Sequence, residues 1–220
     1  MSSAKPFAIY CSRTANTVRR FYAQPRNREQ CAPKVVIYDN EREDVIAELR
    51  SLFGDRLTLY RPNEASKEEQ AKPHQAVSTF LQNVMEAQGI EHLLCFGEKI
   101  LKANLLSRFP GGLVNFHPSL LPSFKGVGSI DQAMEGGACI LGVTAHLVDA
   151  SIDTGPILAQ AAMLREDFHD YPDVLELTFP LIKLVLRDRI GLPLSREDVL
   201  SDLKNREAPF LLPAACRQVD

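Results

Sequence analysis

The sequence predicts an α/β protein with an open, mostly parallel, doubly wound (Rossmann-like) sheet that ends in an antiparallel hairpin and a long C-terminal helix. Two observations predict this class. Short apolar runs typical of buried strands alternate with longer amphipathic segments typical of helices. After residue 110 this rhythm gives way to two longer apolar segments joined by a turn-forming stretch, as in a hairpin.

The first half contains four expected strands separated by helices. The strands are FAIYC (7–11), VVIYD (35–39), LTLY (57–60) and HLLCF (92–96). Helices are expected over residues 14–24, 41–53 and 75–87. Asn40 is expected to cap the second helix, and the stretch PNEASKEEQAK is expected to be a polar loop.

The second half begins with the strand GLVNFH, which should end at Pro118 because proline has no N–H to donate. A short helix over residues 128–135 and two antiparallel strands over 139–149 and 156–164 are expected next. A long helix over residues 171–189 and an irregular tail complete the expected elements.

Composition narrows the class of protein. The 220 residues carry a formal net charge of −3, which gives no whole-chain case for nucleic-acid or membrane binding. The N-terminus lacks an apolar run long enough for a signal peptide, and no segment approaches the ~20 apolar residues that cross a bilayer. The five cysteines are scattered without a Cys-x-x-Cys pair, which favours reduced thiols and a cytoplasmic location. The histidines show no metal-ligand spacing, so no metal is expected.

The stretch NFHPSLLPSFKG (115–126) is the first candidate for chemistry. Side chains alternate along a strand, so Asn115 and His117 project from one face at the strand exit. The alternative to a chemical role is a structural one, in which the strand simply ends here and the ring nitrogens of His117 form hydrogen bonds with the surrounding protein. Ser119 lies two residues beyond His117, but there is no Gly-x-Ser-x-Gly elbow, so Ser119 is expected only to shape the loop.

The stretch AHLVDASIDTGPIL is the second candidate, and its alternative is a plain hairpin turn. His146 is expected either to pack in the core or to lie beside the site. Gly155 is expected to allow close approach of the backbone to a ligand. A carboxylate such as Asp153 near His117 would favour a protonated imidazole, and Asn115 could donate to a developing oxyanion. Without a nucleophile, the set suggests direct acyl transfer between two bound substrates.

These two stretches, in this order, resemble the 10-formyltetrahydrofolate-dependent formyltransferases, and among them the glycinamide ribonucleotide transformylase branch. The shared features are an Asn-x-His-Pro-Ser-Leu-Leu-Pro motif and a downstream Asp-x-Gly loop, and the clear resemblance covers residues 93–160. It implies one domain over 1–220, with an acceptor-side half (1–90), a folate and catalytic half (91–192) and a tail (193–220). It also implies that Asn115, His117 and Asp153 are the catalytic residues.

The resemblance further implies where the substrates bind. The folate co-substrate would contact GEKIL and the loop after the hairpin strand, through Glu98, Lys99, Ile100, Leu101, Val148, Asp149 and Ile152, together with Asn115 and Asp153. The acceptor, a small amine and in this branch a phosphorylated one, would contact Arg13, Thr14, Ala15, Asn16 and Lys125.

The acceptor half departs from the family pattern. The expected Gly-Ser-Asn phosphate loop reads CSRTAN, and no acidic residue aligns with the family's glutamate in the C-terminal helix. The hypothesis is therefore formyl transfer to a primary amine, with glycinamide ribonucleotide, in purine biosynthesis, as the default acceptor and an amino sugar as another. The alternatives are hydrolysis of 10-formyltetrahydrofolate and a non-catalytic folate- or nucleotide-binding protein. The oligomeric state is not predicted.

Overall fold

The computed structural model describes residues 4–61, 64, 66–168, 171–203 and 210–213. The chain divides into two compact units, residues 1–114 and residues 115–220. The predicted boundaries of the single domain and its halves stay a prediction. No helix among the described residues combines the length and apolar character required to cross a bilayer.

The first unit is built from parallel strands and helices in alternation. Its strands are β1 (Phe7–Cys11), β2 (Val35–Tyr38), β3 (Leu57–Leu59) and β4 (His92–Phe96). Its helices are α1 (Asn16–Ala23), α2 (Pro25–Gln30), α3 (Glu43–Phe53), α4 (Lys67–Ala71), α5 (Pro73–Ala87) and α6 (Ala103–Arg108). β1 pairs in parallel with β2 and with β4, and β2 pairs in parallel with β3. The carboxyl ends of these strands therefore share one edge of the sheet.

Strand β5 (Leu113–His117) carries the boundary between the units. The second unit continues with α7 (Ser129–Glu135), β6 (Ile140–Leu147), β7 (Ile157–Leu164), α8 (Tyr171–Glu176), α9 (Thr178–Val185), α10 (Arg196–Leu200) and β8 (Phe210–Pro213). β7 pairs antiparallel with β6 and with β8. The predicted fold class, parallel strands followed by an antiparallel hairpin, is confirmed.

Several predicted elements were wrong in detail, for identifiable reasons. Asn40 is not a helix cap: α3 begins two residues later than predicted, after Arg42, and the Asn40 side chain accepts from the Glu41 N–H instead. The polar stretch predicted as a loop contains α4, which starts with a reciprocal capping box between Ser66 and Glu69. These capping hydrogen bonds stabilise a five-residue helix that has no buried side chain to stabilise it by packing.

Within residues 171–203 and 210–213, the helices and strands are shorter and more numerous than predicted, and the rest of the predicted tail lies outside the described residues. The expected single long helix is α8, α9 and a π-helical turn over Leu186–Ile190 in succession. The expected irregular tail contains α10, whose first turn is capped reciprocally by Ser195 and Asp198, and β8. α10 is short and mostly polar, and β8 is an apolar segment of only four residues, so neither is long enough to show a periodic apolar pattern in the sequence.

Candidate active site

The end of β5 brings an amide and an imidazole to one place, as strand alternation predicts. His117 is 5% exposed, and Asn115 is partly buried on the same strand. The chain leaves the strand at Pro118. Both side chains are therefore held by a strand rather than by a loop, which limits their motion.

Asp153 reaches His117 from the connection between β6 and β7. Its Oδ2 lies 3.3 Å from Nδ1 of His117 and accepts a 2.9 Å hydrogen bond from the N–H of Gly126. Its backbone has a φ of 51°, in the left-handed region that non-glycine residues rarely adopt. Such strain persists where surrounding contacts fix the residue, and it is concentrated at functional sites.

The charge of Asp153 is favoured by its neighbours. Burial works against ionisation of this carboxyl, but the Gly126 N–H and the facing imidazole of His117 favour its charged form. The pKa of Asp153 therefore lies below its ordinary value. A carboxylate at this position is ionised throughout the neutral pH range.

His117 has a hydrogen-bond acceptor at each ring nitrogen. Nε2 lies 2.8 Å from the carbonyl oxygen of Phe124, and Nδ1 faces Asp153. Both contacts are satisfied together only when both nitrogens carry hydrogen. Phe124 also has a left-handed backbone, with a φ of 53°, so the loop after β5 is bent back towards the ring.

His146, which was not among the predicted site residues, joins this group. Its Nε2 lies 3.3 Å from Nδ2 of Asn115 and 3.6 Å from Oδ1 of Asp153. The side chain is buried, with 2% of the residue exposed. Its position two residues after Thr144 on the same strand face was the available signal, but the sequence alone did not distinguish it from a core histidine.

The loop after His117 is fastened to β6 and β7 by polar side chains. The hydroxyl of Thr144 donates to the carbonyl of Ser119 at 2.7 Å and accepts from the N–H of Leu121 at 3.0 Å. The Gln160 amide donates to Leu121 O and to the Thr144 hydroxyl. Ser119 itself donates to Ser123 O at 2.7 Å, so its hydroxyl shapes the loop as expected.

The predicted folate residues of the second unit lie around the turn before Asp153. Asp149 accepts hydrogen bonds from the Ser151 N–H at 3.1 Å and from the Thr154 hydroxyl at 2.9 Å, so its carboxylate stabilises the turn. Ile152 is 56% exposed, so its apolar side chain is accessible from solvent. Val148 is partly buried, and Lys125, predicted for the acceptor, is exposed.

Gly155 was predicted to allow close approach of the backbone to a ligand. The close approach is instead to the chain's own backbone, because a Cβ at Gly155 would lie 1.8 Å from the carbonyl oxygen of Leu147. The glycine therefore closes the base of the hairpin turn.

In the first unit, the predicted acceptor loop lies directly after β1. Arg13 and Ala15 both adopt left-handed backbones, with φ of 50° and 47°. The Arg13 guanidinium forms an ion pair with Glu98, which was predicted to contact folate. Thr14 is partly buried and Asn16, exposed, begins α1. An anionic group that used Arg13 would compete with Glu98.

The predicted folate segment of the first unit, Glu98 to Leu101, is held through its main chain. The N–H of Glu98 donates to the Ser12 hydroxyl at 3.2 Å, and that of Ile100 donates to Nδ1 of His74 at 3.2 Å. Lys99 is partly buried, Ile100 is 44% exposed and Leu101 is buried. The segment therefore presents an apolar side chain to solvent from a fixed backbone.

Beneath this segment lies a buried carboxylate, Asp39. Its Oδ2 accepts a 2.6 Å hydrogen bond from the Tyr10 hydroxyl, and its Oδ1 accepts from Ser12. Burial, followed by the charge of Asp39, raises the pKa of Tyr10 well above its ordinary value.

Cys11, Cys31 and Cys95 are buried free thiols and Cys139 is an exposed one. The part of the chain that the structure describes contains no group of three histidine, cysteine or acidic side chains arranged to hold a metal ion.

A family model described as "Formyl transferase" matches residues 6–169. A phosphoribosylglycinamide formyltransferase of Bacillus subtilis is 41% identical over 78 residues, which are 36% of this chain and 40% of that protein. One from Mycobacterium tuberculosis is 52% identical over 62 residues, which are 28% of this chain and 29% of that protein. These alignments thus span less than half the length of either curated relative.

The fold is similar to that of a solved structure, glycinamide ribonucleotide transformylase 1 from Geobacillus kaustophilus. The TM-score is 0.70 at 25% sequence identity, with 86% of this chain and all of that one covered. Since the family model matches well over half of its residues, this chain belongs to the formyl transferase family.

Proposed function

We propose that this protein is an enzyme that transfers a formyl group from 10-formyltetrahydrofolate to a primary amine, with glycinamide ribonucleotide as the default acceptor. The observation that carries the proposal is the arrangement of Asn115, His117 and Asp153, in which the Asp153 carboxylate lies 3.3 Å from the imidazole. The names of the curated relatives and of the solved structure support the acceptor.

The proposed reaction begins with attack of the amine nitrogen on the formyl carbon. The electrons of the C=O π bond move to oxygen, and the Asn115 amide donates a hydrogen bond to this oxyanion. The tetrahedral intermediate then collapses, the bond from carbon to N10 of the folate breaks, and N10 leaves as an amine. The proton given up by the attacking amine balances the proton taken up at N10.

His117 and Asp153 are proposed to manage charge and protons in these steps. His117 has an acceptor at each ring nitrogen, so its Nε2 hydrogen can be directed to the oxyanion while Nδ1 faces Asp153. The Asp153 carboxylate holds the ring in this orientation and can receive a proton from the attacking amine. The Phe124 carbonyl holds the ring until the substrate oxygen competes for Nε2.

The two substrates are proposed to bind as the family resemblance implies. Folate would contact the fixed main chain of residues 98–101 and the turn over residues 148–152. The acceptor would contact residues 13–16 and Lys125, and a phosphate there would have to draw Arg13 away from Glu98. We propose a cytoplasmic setting, which the buried free thiols support.

The test is an assay of tetrahydrofolate release, followed by absorbance, with 10-formyltetrahydrofolate and a panel of amines. The panel contains glycinamide ribonucleotide, unphosphorylated glycinamide riboside and an amino sugar, with a reaction lacking amine as control. Release that depends on one amine, with that amine formylated, supports the proposal. Release at the same rate without amine would instead support hydrolysis. Folate binding without any release would support a binding protein and overturn both enzymatic hypotheses.

A further inference from the structure

We propose that His146 is a positioning residue that orients the Asn115 amide for catalysis through its Nε2 lone pair. This inference rests on the proposed function for its catalytic meaning. It concerns a residue that the proposed mechanism does not use. Its basis is the set of contacts that His146 makes with three groups around it.

The first step concerns which ring nitrogen carries hydrogen. Nδ1 of His146 lies 2.9 Å from the carbonyl oxygen of Leu147, which can only accept. Nδ1 therefore carries hydrogen, and in the neutral ring the lone pair lies at Nε2.

The second step concerns the amide. Nδ2 of Asn115, 3.3 Å from Nε2, donates one of its two hydrogens to this lone pair. The reversed amide would face its oxygen towards the lone pair, which is repulsive. The neutral ring therefore fixes which end of the amide is the donor. The second hydrogen on the same nitrogen is the one that the proposed mechanism directs to the oxyanion.

The third step concerns Asp153. Its Oδ1 lies 3.6 Å from the same Nε2. A proton at Nε2 would turn this contact into an ion pair and remove the acceptor that holds Asn115. The ring can thus hold the amide or donate to the carboxylate, but not both, and its neutral form is the one that orients Asn115.

The backbone supports this placement. The pairing of β6 with β7 shifts register between Ala145 and His146: Ala145 pairs with Ala159, whereas His146 pairs with Ile157. The shift skips Leu158 of β7, as in a β-bulge, and bulges are over-represented beside active sites. It lies at the residue whose ring meets both Asn115 and Asp153.

Two substitutions of His146 test which of its two ring nitrogens is required. The side chain of His146→Gln can place an amide oxygen near the position of Nε2, whereas His146→Asn reaches only the position of Nδ1. We expect His146→Asn to lower kcat about tenfold or more, because a misplaced oxyanion donor costs on that order, with KM for the folate within about threefold of the wild type. His146→Gln should keep kcat within about threefold. Equal losses in both variants, or wild-type kcat in His146→Asn, would overturn the proposal.

A second measurement needs no variant. Nitrogen-15 NMR of the wild-type imidazoles should report hydrogen on Nδ1 and a lone pair on Nε2 for His146 at neutral pH. A ring with hydrogen on Nε2 alone contradicts the inference even if both variants fail to fold. The wild type and His117→Ala are assayed in parallel. Absence of formyl transfer by the wild type defeats the proposed function, whereas transfer that requires His117 but is indifferent to His146→Asn defeats only this inference.

Discussion

Each unit of the molecule contains a buried or nearly buried carboxylate, and the two have different partners. Asp39 accepts hydrogen bonds from two hydroxyls, those of Tyr10 and Ser12. Asp153 faces two imidazoles and a main-chain N–H, with its side chain 10% exposed. Asp39 directly follows β2, and Asp153 lies in the connection that follows β6. Position in the sequence therefore does not by itself distinguish their roles.

The difference in partners matches a structural role for Asp39 and the catalytic role that we propose for Asp153. The hydroxyl of Tyr10 has a raised pKa, so it holds its proton at all ordinary pH values and its contact with Asp39 is fixed. Histidine side chains serve as general acids and bases, so a carboxylate that faces two imidazoles is placed for proton transfer.

The sharpest test of this comparison replaces Asp153 with asparagine. We expect Asp153→Asn to lower kcat for formyl transfer about a hundredfold or more, because the variant lacks the carboxylate that faces Nδ1 of His117 and is proposed to receive the proton of the amine. The measurement is tetrahydrofolate release at saturating amine. The matched control is Asp39→Asn, which should keep kcat per folded molecule within about threefold. Near wild-type turnover in Asp153→Asn would mean that the carboxylate is structural.

Asp39→Asn is expected to lower stability, although it should not lower turnover. Asp39→Asn turns an acceptor-only group into one with a donating amide that faces two hydroxyl donors. We expect a loss of about 1–3 kcal/mol in the free energy of unfolding, the usual range for a buried, charge-assisted hydrogen bond. Urea titrations followed by circular dichroism would measure it. Unchanged stability would remove the structural role assigned to Asp39.

The sequence predicted most of the fold and the main group of the site because these features have local periodic signals. Alternation along β5 placed Asn115 and His117 on one face, and the Asp-x-Gly resemblance selected Asp153 among several loop carboxylates. The short helix α4 was missed, because it is held by capping hydrogen bonds rather than by an apolar face.

His146 was left between two interpretations for a different reason. Its role depends on a register shift between β6 and β7 and on the side of the ring that meets Asn115. Neither feature has a signature in a single sequence, because both are set by pairing between distant residues. The same holds for the Arg13–Glu98 ion pair, which joins two predicted binding segments that are separated along the chain.

The hydrogen bond from Tyr10 to Asp39 should also make the stability of the protein depend on pH in the alkaline range. In the unfolded chain Tyr10 ionises near its ordinary pKa of 10.0, whereas in the folded protein its pKa is higher. The stability contributed by the neutral phenol is therefore present below pH 10 and is lost as the pH rises above it. Each pH unit above 10 should cost about 1.4 kcal/mol for one such group. The difference between the wild type and Tyr10→Phe should shrink by that amount, and a constant difference would show that Tyr10 ionises in the folded state.

The smallest expected effect is the acid-side counterpart at Asp153. Its pKa lies below the ordinary value of 3.8 in the folded protein because, in spite of burial, the Gly126 N–H and the imidazole of His117 favour the charged form. A lowered pKa means that the carboxylate contributes stability above pH 3.8 and loses it as the pH falls through the folded value. The advantage of the wild type over Asp153→Asn in unfolding free energy should therefore narrow below pH 4. An advantage that stays constant down to pH 2 would mean that the neighbours of Asp153 do not favour its charged form. Asp153 and Asp39 would then differ only in their position in the fold and not in the effect of their neighbours on the carboxylate.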